Sequence, residues 1–293
     1  MADKGSKNKK KLYDLLKDLE KQVYESDELT HSMSLENLSC HQDVCQYLSE
    51  KGRSHQHYRY YSSAGRILRV LSDSSVFLTD GLKWNDQFDS GKFNPPYSGY
   101  KRFGTCMSYS KSESIAMWML YGGKDGDGAM IDFSRETLLD ALRAPQFEFG
   151  HFDKNGSFVA DKSLDANKVK IDLFDVVYFK KADGQGEQFC LSLPFEPQAT
   201  VSKLIFDNFG PFTKHESWSY EQEVRLIATV DKISLGNRAS VFHCMKLPLR
   251  LSNDYTTSRT FNSPTSSLSD FCDSELVGTV DWDLCNGCKY KRQ

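Results

Sequence analysis

Between Trp218 and Ile227 the chain reads Trp-Ser-Tyr-Glu-Gln-Glu-Val-Arg-Leu-Ile, and charge alternates with apolarity along it. Successive side chains of a strand point to opposite faces. The run therefore predicts a strand over 221–230 on which Glu221, Glu223 and Arg225 share one face. Val224 and Leu226 share the other face and require a core beneath it, so the fold must seat a strand with one apolar and one charged face. The plainer reading is a half-buried strand whose solvated face carries Arg225 among acidic neighbours. The chemical reading is two acids and a guanidinium placed to steady a developing cation.

Elsewhere the periodicity switches between helix and strand without a regular alternation of the two. Leu12, Leu15, Leu16, Leu19 and Val23 have the spacing of an amphipathic helix, and a second helix is predicted over 36–49. Strands are predicted at 57–61, 76–78, 105–110, 129–133, 146–152, 168–179, 240–247 and 276–282. Helices are predicted from Ser63 through Leu71, from the capping-box spacing Ser110-Lys111-Ser112-Glu113 through Tyr121, and over 199–209. A polar and aromatic loop should connect 78 to 105. Short strands interspersed with few long helices favour an α+β fold with a compact mixed or antiparallel sheet over a doubly wound α/β fold. The expected organisation is a disordered basic tail (1–11), a helical lead-in (12–56) and a main α+β domain (57–293). Within that domain a mobile Ser/Thr/Asn-rich loop is expected at 252–270.

Charge and cysteine usage exclude several classes. A net charge of −3 and a pI near 6.2 give no bulk attraction to nucleic acid or to a membrane surface. The one basic cluster, Lys4, Lys7, Lys9, Lys10 and Lys11, is a solubilising tail or a nucleic-acid contact. No apolar run approaches the roughly 20 residues that span a bilayer, and no apolar segment follows the N-terminal lysines, so a cytoplasmic protein is expected. The eight cysteines are scattered, which argues against a disulfide framework. Only Cys285 and Cys288 have close spacing, with Cys272 and His243 as the available additions to a metal set; reduced thiols are the plainer reading.

Four further patterns carry chemistry. Tyr58-Arg59-Tyr60-Tyr61 places an arginine among aromatics, where it would pair with phosphate or lie across core rings. Asn85 and Asp86, between Trp84 and Phe88, have the residue types that tie down a turn. Ser108 and Ser110 put two hydroxyls on one strand face, to bond a ligand or to cap the next helix. Trp118 and Tyr121 share a helical face and line either a core or a ligand wall.

In order, the elements Tyr58-Arg59-Tyr60, Asn85-Asp86-Gln87-Phe88-Asp89, Cys106-Met107-Ser108, Trp118 to Gly122 and Trp218 to Arg225 resemble a bacterial and prophage family named only as a domain of unknown function. The order arginine, Ser-x-Ser, Glu-x-Glu is also similar to the R-S-E arrangement of ADP-ribosyltransferases. That resemblance implies a split β-sandwich, with NAD as substrate and no metal. It implies that Arg59 binds the NAD pyrophosphate and that Ser108 and Ser110 organise the pocket. Glu223 would be catalytic and Glu221 would orient or deprotonate the acceptor, while Tyr109, Trp118 or Tyr121 would stack on nicotinamide. Tyr109 departs from the usual Thr, and Arg225 stands where apolar residues usually follow the catalytic Glu. Its alternative role is to lock Glu223 in a salt bridge.

The function implied is an NAD-consuming transferase or NAD glycohydrolase, in the setting of a toxin or an anti-phage effector, whose acceptor is unspecified. One alternative is a non-catalytic ligand- or nucleic-acid-binding module of a defence or mobile-element system. The other is a metal-dependent nuclease or hydrolase using Asp86, Asp89, Glu221 and Glu223.

Overall fold

The spacing of Leu12, Leu16, Leu19 and Val23 builds helix α1 (Lys4–Glu25) and buries all four side chains. The computed structural model describes residues 4–25, 38–84, 86–95, 98–121, 128–184, 186–193, 198–236 and 239–250. Lys4 to Lys11 fall inside the first turns of α1. Lysine is a good helix former, and the apolar stripe that follows anchors those turns. Helix α2 (Ser39–Gly52) adds Val44, Tyr47 and Leu48 to the same core. It ends against backbone: a Cβ on Gly52 would lie 2.5 Å from the carbonyl oxygen of Leu173.

The remaining elements are β1 (His57–Ser63), α3 (Ala64–Ser72), β2 (Ser75–Thr79), α4 (Gln87–Phe93), β3 (Tyr100–Ser108), α5 (Ile115–Tyr121), β4 (Gly128–Ser134), α6 (Arg135–Ala141), β5 (Gln146–Phe152), β6 (Phe158–Asp165), β7 (Val169–Asp175), β8 (Val177–Lys181), β9 (Gln188–Ser192), β10 (Ala199–Ser202), α7 (Lys203–Asn208), β11 (Thr213–His215), β12 (Glu223–Asp231), α8 (Lys232–Leu235) and β13 (Cys244–Pro248). Nine strands form one antiparallel sheet in the order β4-β1-β3-β2-β13-β5-β6, with β12 on the other edge of β3 and β7 beyond it. Strand β12 runs along all of β3, from Glu223 opposite Ser108 to Asp231 opposite Tyr100. The opposite edge of β3 is divided, since Ser108 pairs with β1 and Gly104 with β2. The sheet curls into a half-barrel. A second sheet has the order β10-β9-β8-β11, with β11 and β8 parallel.

Two cores follow from this arrangement. One face of the curled sheet buries Tyr58, Phe103, Met107, Val224, Leu226 and Ala228 with Ile67 of α3 and Leu138 of α6. The other face of β12 contributes Ile227 to a second core with α1, α2, α7, Phe93 of α4 and Val177 and Phe179 of β8. The fold is α+β, as the pattern predicts, and β12 is covered on both faces.

Several boundaries differ from the sequence expectation. The apolar run at 168–179 contains two strands, because Val176 separates β7 in the large sheet from β8 in the small one. The 78–105 loop contains α4, and the predicted 199–209 helix begins as strand β10. Helix α5 starts at Ile115, five residues after Ser110 of the capping box, while Ser110 Oγ donates to the Ser112 carbonyl instead of capping. The 252–270 loop, the 276–282 strand and Cys272, Cys285 and Cys288 lie outside the described residues. Among the described residues no helix is long and apolar enough to cross a membrane.

Candidate functional site

Glu221 and Glu223 do not lie on one strand. Glu221 closes a 3₁₀ turn (Glu216–Glu221), and Gln222 then takes a left-handed conformation with φ 45° and ψ 60° before β12 begins. A non-glycine residue there costs on the order of 1–2 kcal/mol. The kink changes the alternation that the sequence suggests and lets both carboxylates converge on one ammonium. Ser108 fixes the kink to β3 by donating to the Glu221 carbonyl at 2.6 Å, and the Tyr109 amide donates to the Gln222 carbonyl at 2.9 Å.

The converging ammonium is Lys214, from the three-residue strand β11. Its Nζ lies 2.5 Å from Glu221 Oε2 and 2.9 Å from Glu223 Oε2. Arg225 donates from Nε to Glu223 Oε1 at 2.6 Å, from Nη2 to Asp89 Oδ2 at 2.5 Å, and from Nη1 to the Pro211 carbonyl at 3.1 Å. Tyr121 Oη donates to Glu221 Oε1 at 2.6 Å, and Tyr178 Oη accepts the Glu223 amide at 2.9 Å. Glu223 is 2 % exposed and Arg225 0 %. The sequence expectation of a solvated charged face fails because the small sheet and α4 cover this side of β12. The alternative role for Arg225, a salt bridge holding Glu223, is what the geometry contains.

Such a cluster divides its carboxylates. Burial alone would raise Glu223, but Arg225 and Lys214 outweigh it and hold the carboxyl far below the usual range. Burial, followed by the Glu223 charge, pushes Glu221 up to about 7 against the pull of Lys214 and Tyr121. Burial also raises Asp89 against the pull of Arg225. Burial would lower Lys214, yet Glu223, Cys106 and Glu221 leave it raised. The Cys106 thiol is pushed well up by burial and by Glu223. A buried acid near neutrality beside a permanent anion is the arrangement that separates a proton carrier from an electrostatic anchor.

The other predicted residues divide between the two faces of the sheet. Arg59 of β1 pairs directly with Ser108 of β3, and Ser108 pairs with Glu223 of β12. Direct partners in an antiparallel ladder point to the same side, so Arg59, Ser108 and Glu223 form one row across three adjacent strands. Asp132 of β4 extends the row, and Arg59 Nε donates to it at 3.2 Å. Arg59 Nη2 donates to the Lys111 carbonyl at 3.0 Å, while Nη1 is buried with no hydrogen-bond partner among the described residues. Helix α5 covers this side: Trp118 meets Tyr61 edge-on at 5.1 Å, and Tyr121 reaches Glu221. Ser110 lies beyond the end of β3. Tyr109 packs against the first core and stacks flat on His55 at 3.9 Å, with His55 bonded to Asp175. Tyr109 is thereby removed from the set of stacking candidates.

Of the four carboxylates in the metal alternative, Glu221, Glu223 and Asp89 each turn an oxygen to Lys214 or Arg225, and the described residues hold no group of three or more His, Cys, Asp or Glu side chains placed to bind a metal. His243 is paired with Asp80 instead. Asn85 lies outside the described residues. Sequence reasoning assigns no site role to Lys214, Tyr178 or Cys106, and gives Asp89 one only in the metal alternative. Cys106 was within reach, standing two residues before Ser108 on the same strand face. Lys214 sits in a strand too short for any periodic signal.

Residues 117–226 match a family model described as "Protein of unknown function (DUF2971)". The match runs from α5 into β12 and takes in Trp118, Tyr121, Lys214, Glu221, Glu223 and Arg225. Arg59 and Ser108 lie before it. The similarity supports a domain family of unknown function and carries no activity. No curated protein and no solved structure matches the chain.

Proposed function

We propose that the protein is an NAD-consuming enzyme of the ADP-ribosyltransferase kind. The observation that carries this reading is the Arg59–Ser108–Glu223 row on one face of three neighbouring strands. Arg59 has an unused buried Nη1 donor for a pyrophosphate oxygen, and Ser108 ties down the turn that aims both carboxylates. Trp118 and Tyr121 stand on the same side as stacking surfaces for nicotinamide. When the nicotinamide–ribose bond breaks, nicotinamide leaves with the bonding pair and the ribose gains oxocarbenium character. Glu223, an anion at all ordinary pH, stabilises that charge. The acceptor, water included, attacks the ribose carbon, and its proton passes to Glu221. Because Glu223 is 2 % exposed, ligand entry requires Tyr121 and the 3₁₀ turn to move off the carboxylates.

Nicotinamide release from NAD by wild type, Glu223→Gln and Glu221→Gln tests this. Wild type releases nicotinamide, Glu223→Gln loses at least about 100-fold, as expected for removal of a preorganised charge stabiliser, and Glu221→Gln loses most of transfer to the acceptor. Release that survives Glu223→Gln unchanged refutes the assignment. A second reading, a non-catalytic ligand-binding module, is favoured by the two cations that lock Glu223 in place. It predicts NAD binding that weakens in Arg59→Ala, with no nicotinamide released by any variant.

A further inference from the structure

Lys214 stands where the two carboxylates of the Glu221-Gln222-Glu223 segment meet, and its side chain is 5 % exposed. Groups from every neighbouring element face this point. Tyr121 of α5 bonds Glu221, Tyr178 of β8 holds the Glu223 amide, and Arg225 of β12 joins Glu223 to Asp89 of α4. Cys106 of β3 lies against Glu223, and the Trp218 ring of the 3₁₀ turn lies 4.9 Å from Lys214 Nζ, with Tyr220 beside Glu221. With all ionised, Asp89, Glu221 and Glu223 outnumber Lys214 and Arg225 by one charge in a site closed to water. An excess buried charge is costly, and a single proton removes it. An ammonium can only donate. Glu221 Oε2, which faces Nζ, is therefore closed to the proton, whereas Oε1 can carry it, and the Tyr121 hydroxyl, the donor to the ionised carboxylate, then becomes the acceptor.

We infer that Glu221 is the proton carrier of the pair because Arg225 bonds Glu223 and not Glu221 and keeps Glu223 an anion, and that Lys214 is a positioning residue that confines the Glu221 proton to Oε1, toward Tyr121, and holds its midpoint down. Its part in turnover rests on the catalytic reading above; the proton itself does not. During transfer, Glu221 that has first lost its resting proton to solvent takes the acceptor's proton on Oε1 as the acceptor–ribose bond forms and nicotinamide departs with its electron pair. The burial and neighbouring charge that push Glu221 up to about 7 agree with this placement.

The experiment is carboxyl-carbon NMR of the full chain labelled at glutamate, titrated from acid to mildly basic pH. The Glu221 signal is identified by its loss in Glu221→Gln. Wild type titrates near neutrality. Lys214→Met removes a charge that pulls Glu221 down and moves its midpoint upward by about 1–3 pH units. Lys214→Gln, which keeps length and a donor, moves it the same way, and Lys214→Arg holds it near wild type. A Glu221 midpoint in the ordinary carboxylate range, below about 5, overturns the proposal with no variant needed. So does a midpoint unmoved by loss of the lysine charge. Nicotinamide release read on the same samples separates the two claims. If wild type releases none while the midpoint shifts as stated, the catalytic reading fails and the proton placement stands. If release occurs, its pH profile follows the shifted midpoint, in kcat more than in KM.

Discussion

Replacing Arg225 by methionine keeps most of the side-chain length while deleting a guanidinium that is 0 % exposed. The structure states what is left behind. Asp89 loses its 2.5 Å partner, Glu223 loses one cation and keeps Lys214 at 2.9 Å, and the Pro211 carbonyl loses a 3.1 Å donor. Breaking a buried pair by removing one partner costs about 3–5 kcal/mol, because the survivor stays charged in a low dielectric. Glu223 is still compensated, so the ion-pair loss falls near the lower end, and the stranded carbonyl adds about 1 kcal/mol. The expected destabilisation is about 4 kcal/mol, a large share of the roughly 5–15 kcal/mol that holds a domain folded. Urea denaturation measures it as a lower midpoint at unchanged slope. The same substitution in an Asp89→Asn, Glu223→Gln background should cost much less, since no stranded charge remains. A loss below about 1 kcal/mol would place the pair among solvent-screened ion pairs and refute the claim that β12 is covered on its charged face.

Other outcomes follow from the same geometry. Glu221 has a folded pKa above its ordinary value of 4.5, so the native state binds more protons than the unfolded chain between 4.5 and about 7. Its contribution to stability therefore falls as pH rises through that window. Glu221→Gln should unfold at higher urea than wild type at pH 8 and lose that advantage near pH 5. Glu223 has the opposite sign: its contribution is present above 4.5 and is lost as pH falls toward its depressed folded value. Glu223→Gln should consequently be less stable than wild type at pH 7, with the gap closing on acidification. Gly52→Ala drives a methyl to within 2.5 Å of the Leu173 carbonyl oxygen where α2 meets β7. It should cost about 1–3 kcal/mol in thermal or urea unfolding, and an unchanged midpoint would contradict the close approach.

How far the sequence reached is visible in particular residues. Strand β5 (Gln146–Phe152) and the buried stripe of α1 follow from local periodicity alone, because each element makes one face against one core. Strand β12 is legible as a strand, but its alternating charge reads as a solvated face or as a catalytic one, and neither reading shows that the face is covered. Ile227, on that same face, carries the missing signal: an apolar residue in line with Glu223 and Arg225 needs a second core, here supplied by α1, α2, α7 and the small sheet. Gln222 hides the real geometry of the Glu221–Glu223 pair. No glycine marks the left-handed turn, and the side-chain alternation expected of a continuous strand conceals it. Lys214 was out of reach because its importance lies in contacts with residues beyond the turn, set by the parallel pairing of β11 with β8. The order Arg59, Ser108, Glu223 was legible, and the register that aligns these residues in one row follows from long-range strand pairing that no local pattern encodes.

The most direct measurement of the central claim is a crystal structure of the protein soaked or grown with NAD. The pyrophosphate is expected within hydrogen-bonding distance of Arg59 Nη1, the nicotinamide ribose against Glu223, and Tyr121 displaced from Glu221. NAD bound at another surface, with the Lys214–Glu221–Glu223–Arg225 cluster closed as it stands here, would contradict the claim.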